Sequence, residues 1–313
     1  MLSMLVVGYL FLGGVGAGAC VVVSAMALLV PRAELAAIRR ANTRSGYVTM
    51  ARVKQPYRRL IAPCYAAAFA TVFLGCLFLL LDLGNPAMAL ALFRYPTATF
   101  ISAGSYALAA CLAVTLLLGI VWGASGVHVP YRLLRAAEWF AAVVGLFVTA
   151  YTGLLLSTLG TVPFWTSAWL PVLFVLSSLS GGCALVLIVA CVFNTTGAFR
   201  QVLRRLVRCD IVVIVLEAAA AAMLLASAFS HPYDVAAQGA QSLLTGAYAG
   251  MFLVGFGACG LVAPLVLELN AARWEGRFIM LIPAIAALVL VGAFLMRYCI
   301  VAAGMHPEVW TVL

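Results

Sequence analysis

Charge is the scarcest commodity in this sequence. Only 9% of its 313 residues are Asp, Glu, Lys or Arg, against 66% hydrophobic, and the mean hydropathy is +1.17. This excludes a soluble globular domain, whose surface needs far more polar cover. Histidine is rarer still: His128, His231 and His306 all lie outside the apolar runs. A haem held in a helix bundle needs His ligands at bilayer depth, so a b-type haem subunit and an intramembrane metal centre are both disfavoured. Nine cysteines are present but no C-x-x-C pair, and their scatter through apolar segments reads as small packing residues. No Gly/Ser-rich linker sets off a second domain. No basic residue precedes the first apolar run, so that run does not read as a signal peptide, despite the string "AGAC" from Ala17 to Cys20.

What is abundant is apolar length. Runs long enough to span a bilayer, which takes roughly 20 residues each, cover 3–29, 57–81, 101–123, 133–158, 168–193, 208–230, 245–268 and 277–302. The expected fold is all-α, a polytopic membrane protein with eight transmembrane helices and no separate soluble domain. Alternating the sides of the loops collects sixteen of the eighteen Lys and Arg residues on one face, in segments 30–56, 124–134, 194–208 and 269–277 with the adjoining helix ends. Only Arg94 and Arg297 are left for the other face. By the positive-inside rule the basic face is cytoplasmic and both termini lie outside. The net charge of +9 then reflects topology and contact with the lipid bilayer, not a nucleic-acid partner. The longest loop, 30–56, reads as a cytoplasmic connection with a short surface helix, and the outer segments 82–100, 159–168 and 231–244 read as short loops.

The string "LFLGGVGAGA" (Leu10 to Ala19) can be laid on "FVLSSLSGGC" (Phe174 to Cys183) with small residues falling on small ones. Both segments run from outside to inside. This suggests two four-helix halves, 1–158 and 159–313, related by a parallel repeat. Gly, Ala and Ser at these positions let helix backbones approach closely in lipid.

Two carboxylates enter the greasy segment "CDIVVIVLEAAAAAM". Asp210 and Glu217 are seven residues apart, which returns almost to the same helix face with about 10 Å between them. Glu138 and Glu268, near the inner ends of the fourth and seventh helices, are placed to approach that stripe. An ionised acid at mid-bilayer costs on the order of 2.5–3.5 kcal/mol even on an insertion scale, so such groups face the bundle interior. Asp210 and Glu268 are near enough to the cytoplasmic boundary to pair with Arg204, Arg208 or Arg273. Glu217 is deeper with no base nearby in sequence, and is expected to serve proton movement or a buried hydrogen bond. A proton route from the cytoplasmic side would then use Glu217 with Asp210 and Glu138.

Toward the outer side, Tyr9, Asp82, Asn85, Tyr106 and Tyr151 share one depth. A membrane-soluble quinone needs an apolar slot with a few donors or acceptors at its oxygens. Taken singly, each Tyr is more often an interfacial anchor, and Asp82 with Asn85 also reads as a helix cap and turn.

The strings "YLFLGGVGAGA" (Tyr9 to Ala19), "LDLGNP" (Leu81 to Pro86), "AYTGLLLSTLGTVPFWTSAWLPVLFVLSSLSGGCAL" (Ala150 to Leu185), "GLVAPLVLE" (Gly260 to Glu268) and "LVLVGAFLMRYCIVAAG" (Leu288 to Gly304), with Asp210 and Glu217, resemble the NrfD family of polysulfide-reductase-type membrane subunits. The resemblance runs in order across nearly the whole chain, with the fourth-to-fifth helix block its most specific part. It implies two four-helix bundles with both termini outside, in a bacterial or archaeal cytoplasmic membrane. It also implies a haem-free subunit exchanging electrons between a quinone, menaquinone or ubiquinone, and a ferredoxin-like iron–sulfur subunit. Clusters would belong to that partner only, itself joined to a catalytic subunit, often a molybdopterin enzyme. Carried over by motif, Tyr151 of "YTG" would bond a quinone oxygen, with Tyr9 and Asp82 as further candidates. The chain departs from the family in its "MLSMLVVG" start, in Asp210 where Glu is usual, and in Asn85 where a base is frequent. From other classes, a small-substrate transporter is suggested by the repeat and the buried acids, and a purely structural anchor would leave the slot without a ligand.

Overall fold

The computed structural model describes residues 3–30, 47–49, 55–84, 100–124, 127–158, 162–232, 234–273 and 278–305. Its long elements are α-helices because hydrocarbon offers backbone amides no partner other than their own turn. In order they are α1 (Met4–Leu28), α2 (Gln55–Asp82), α3 (Phe100–Gly123), α4 (Tyr131–Ser157), α5 (Trp169–Val192) and α6 (Arg200–Phe229). A short α7 (Asp234–Leu244) follows, then a π-helix (Gly250–Val262) that continues into α8 (Ala263–Arg273), and finally α9 (Phe278–Gly304). Eight of these helical stretches are long and apolar enough to cross a membrane, as the hydropathy pattern predicts.

Three details differ from the sequence reading. α6 begins at Arg200, eight residues before its apolar run, because Arg200, Arg204, Arg205 and Arg208 can extend a helix past the hydrocarbon edge while their heads reach polar surroundings. The outer segment read as loop 231–244 contains α7, which packs on a 3-10 turn (Pro163–Thr166). That turn buries Phe164 and Trp165, and Trp165 Nε1 donates to the Ile300 carbonyl at 3.1 Å, tying it to α9. Within the long loop, where a short helix was expected, the described part is a strand. β1 (Tyr47–Thr49) pairs antiparallel with β2 (His128–Pro130), Val48 opposite Val129.

α1 and α5 are the most deeply buried spans. α1 packs on α2, α4 and α5, α2 on α3, and α3 on α4. α5 packs on α6 and α9, α9 on the π-helix and α8, and α8 on α6. At the centre the backbones of α1 and α5 touch. A Cβ on Gly18 would overlap the Ser178 carbonyl, and one on Gly182 would overlap the backbone of Gly18. Only glycine fits both positions, and these are residues that the overlay of the two small-residue strings places on one another.

Candidate functional site

Of the residues expected toward the outer side, Tyr9 and Tyr151 are brought together. Tyr9 of α1 is fully buried and Tyr151 of α4 is 4% exposed. Tyr9 has Tyr151 and Cys76 of α2 as electrostatic neighbours. The Tyr151 ring lies against α3 at Gly104, where any Cβ would overlap the ring. Gly104 therefore makes the space in which this tyrosine turns inward. The Tyr9 hydroxyl makes no hydrogen bond among the described residues. A buried hydroxyl left unpaired costs about 1–3 kcal/mol, so the Tyr9 hydroxyl carries an unmet demand for a polar partner.

The other outer residues are placed differently. Asp82, at the end of α2, accepts a hydrogen bond from Ser3 Oγ, the N-cap of α1, and stands on the exposed rim about 9 Å along α1 from Tyr9. Tyr106 is two residues beyond Gly104, about 200° around α3, and its 41% exposure puts it on the outward face away from Tyr151. Asn85 lies outside the described residues.

A second polar group runs through α5, α6, α8 and α9. Arg297 of α9 is fully buried. Its Nη1 donates to Ser177 Oγ at 3.1 Å and to the Ala293 carbonyl at 2.8 Å, and its Nη2 donates to Ser178 Oγ at 2.8 Å. The guanidinium sits over the Phe174 ring, 5.3 Å from its centroid. Glu217 of α6 comes to Ser177 from the other side and faces the Arg297 charge. Seven residues earlier on α6, fully buried Asp210 lies beside Ser180 and beside fully buried Glu268 of α8. None of the four carboxylate oxygens of Asp210 and Glu268 forms a hydrogen bond of ordinary geometry among the described residues.

This arrangement corrects two expectations. Arg297, assigned to the outer face by charge counting, is inside the bundle, because Ser177, Ser178 and the Phe174 face supply the partners that water would have supplied. Asp210 and Glu268 do not pair with Arg204 or Arg208; they turn inward toward each other. The bases two and six residues before Asp210 on α6 are more stable at the polar boundary than dragged to bilayer depth. The side chain of Arg273 lies outside the described residues.

Glu138 is elsewhere. It pairs with Arg135 of its own helix at 2.8 Å and neighbours Trp122 of α3 and Tyr65 of α2. The structure thus joins Glu217, Asp210 and Glu268, and sets Glu138 among the first four helices. Sequence reasoning missed Arg297, Ser177 and Ser178. The available signal was Arg297 standing twenty residues into an uninterrupted apolar run, with Phe, Leu, Met and Tyr around it. Among the described residues no group of three or more His, Cys, Asp or Glu side chains is arranged to hold a metal ion.

Over 180 residues the sequence is 29% identical to the C subunit of polysulfide reductase from Wolinella succinogenes, covering 56% of each. Over 195 residues it is 30% identical to protein NrfD of Escherichia coli K12, covering 60% of this chain and 58% of the relative. The chain therefore spans a little over half the length of the curated relatives it matches. The family described as "Polysulphide reductase, NrfD" matches residues 1–307. Eight spans together with bacterial relatives make this a multi-pass protein of the bacterial inner membrane. With a family match running from the first residue to near the last, the chain belongs to the polysulphide reductase NrfD family.

Proposed function

We propose that the chain is a haem-free, quinol-interacting membrane subunit that passes electrons between the quinone pool and a ferredoxin-like iron–sulfur subunit of a respiratory complex. The catalytic subunit of that complex, of the molybdopterin kind in many such assemblies, would act on the terminal substrate. The observation that carries this reading is the pair of buried tyrosines. Tyr9 offers a hydroxyl with no hydrogen bond among the described residues, beside Tyr151 and Cys76 where α1, α2, α3 and α4 come together, and the proposed slot would open there. Such a slot suits a flat, apolar ring whose only polar atoms are its oxygens. Tyr151 and Tyr9 would orient one oxygen, the surrounding aliphatic walls would exclude water, and Asp82 at the rim would exchange protons with the outside. Asn85 and Tyr106 remain candidates only for the approach to the slot.

In this proposal the chain forms two four-helix halves, 1–158 and 159–313, with both termini outside. The Gly18–Gly182 contact, at matching positions of the two small-residue strings, supports a repeat, and the distribution of Arg and Lys supports the sidedness. The seam of Glu217, Asp210 and Glu268 serves as a proton route in the second half. Glu138, set apart in the first half, would contribute there through Arg135.

The test is binding of a fluorescent quinol analogue to the purified complex. Tyr151→Phe removes one hydrogen bond and should weaken binding by roughly 5–10-fold, the equivalent of about 1–1.4 kcal/mol. Absence of binding to folded wild type would sink the quinone reading and leave the structural anchor.

A further inference from the structure

A cleft of about 890 Å³ opens between α1 and α4, at the end of the bundle where α1 stops and α4 starts. Its mouth carries Tyr131, Arg132 and Arg135 of α4, with Val30 opposite. Arg135 is fully committed. It donates to the Ala27 and Val30 carbonyls at 2.6 and 2.8 Å, to Glu138 at 2.8 Å and to the Tyr131 hydroxyl at 3.2 Å, and so ties the end of α1 to the start of α4. Arg132 is exposed and makes no hydrogen bond or ion pair with any described residue. Among the described residues no carboxylate lines the cleft. α4 starts after Pro130 without a side-chain cap and without an acid in its first turn, so its free amides add to the positive field at the mouth.

Beyond the mouth the walls turn apolar. Val21, Ala25 and Leu28 of α1 face Trp139 and Ala142 of α4, and the two alanines make the trough. From Tyr131 to Ala142 the trough is about 16 Å deep at 1.5 Å per residue. Half of a bilayer's hydrocarbon core is about 15 Å. The cleft thus has a cationic end at one membrane boundary and a greasy end at the midplane.

We propose that this cleft binds one anionic phospholipid, with its phosphate held by Arg132 and the amide end of α4 and an acyl chain lying along Ala25 and Ala142. A soluble anion would use the mouth alone and leave the trough unexplained. A partner's spanning helix would need a groove through both leaflets, whereas this one stops after the first. The site is independent of the quinone reading, since it faces the opposite membrane boundary from Tyr9 and Tyr151 and shares no residue with them.

The experiment is native mass spectrometry of the full-length protein in detergent, titrated with phosphatidylglycerol, phosphatidylcholine or inorganic phosphate. Wild type should prefer phosphatidylglycerol to phosphatidylcholine by roughly 5-fold, as one arginine near a headgroup confers. Arg132→Gln should abolish that preference and Arg132→Lys should keep it. Ala142→Trp should fill the trough and reduce binding of both lipids, with Ala25→Phe as the alternative if that variant fails to run as a folded monodisperse species. Arg205→Gln, an exposed base on α6, should change nothing. Unaltered phosphatidylglycerol binding in Arg132→Gln and in a folded trough variant would overturn the proposal. So would inorganic phosphate competing as effectively as the lipid, which would mark a free-anion site.

Discussion

A guanidinium buried among helices is tolerated only where hydrogen bonds replace its water, and Arg297 meets that condition through Ser177, Ser178 and the Ala293 carbonyl. Its charge is answered by Glu217 across Ser177. Removing one member leaves the other charge buried without its partner, which costs about 3–5 kcal/mol in comparable sites. Arg297→Met is therefore expected to lower the thermal unfolding temperature in detergent sharply. The double variant Arg297→Met, Glu217→Leu should recover at least half of that loss. Additive losses would show that the two charges are not coupled. Function is read separately: Glu217→Gln in an assembled complex should change the number of protons moved per electron, and an unchanged ratio would remove Glu217 from the route. Of these residues Glu217 was legible in the sequence, since a lone acid far from any base stands out. Its partner was not, because α6 and α9 are some 80 residues apart in the chain and meet only by packing.

At the scale of elements, the α1–α5 crossing is the tightest contact in the bundle centre. Lipid tails are as apolar as leucine, so spans hold together through close packing and not through a hydrophobic drive between them. Gly18 and Gly182 permit that approach, and a side chain at either must separate the helices. Gly182→Val is expected to give little folded protein by size-exclusion chromatography. Gly182→Ala should be destabilised by more than about 1 kcal/mol on thermal unfolding, beyond any propensity gain from replacing glycine in a helix. The small-residue strings announced such a contact. They did not announce α7 or the π-helix Gly250–Val262, since neither an 11-residue helix between two spans nor a change from α to π turns leaves a mark in hydropathy.

For the whole molecule, orientation is the property that assigns the two sites to opposite membrane faces. Alkaline phosphatase is active only outside the cytoplasm. Fused after Leu313 it should be active, and fused after Gly197, in the connection that precedes the arginines of α6, it should be inactive. The reverse pattern would invert the placement of the tyrosine slot and of the Arg132 cleft together.

The eight spans followed from composition alone, because a hydrocarbon solvent forces each crossing segment to be a long apolar helix. The tyrosine pair was half visible: Tyr9 and Tyr151 share a depth that residue counting gives, but their neighbourhood depends on Gly104 making room on α3. Tyr106 shares the same depth and points away, a matter of rotation about the α3 axis that depth cannot report. Rotation and neighbour choice also decided Arg297, Glu138, and the turn of Asp210 toward Glu268. Span and depth are set by the solvent acting on each helix separately, whereas partners are set by which faces pack, and nearly uniform apolar helices carry little record of that in sequence.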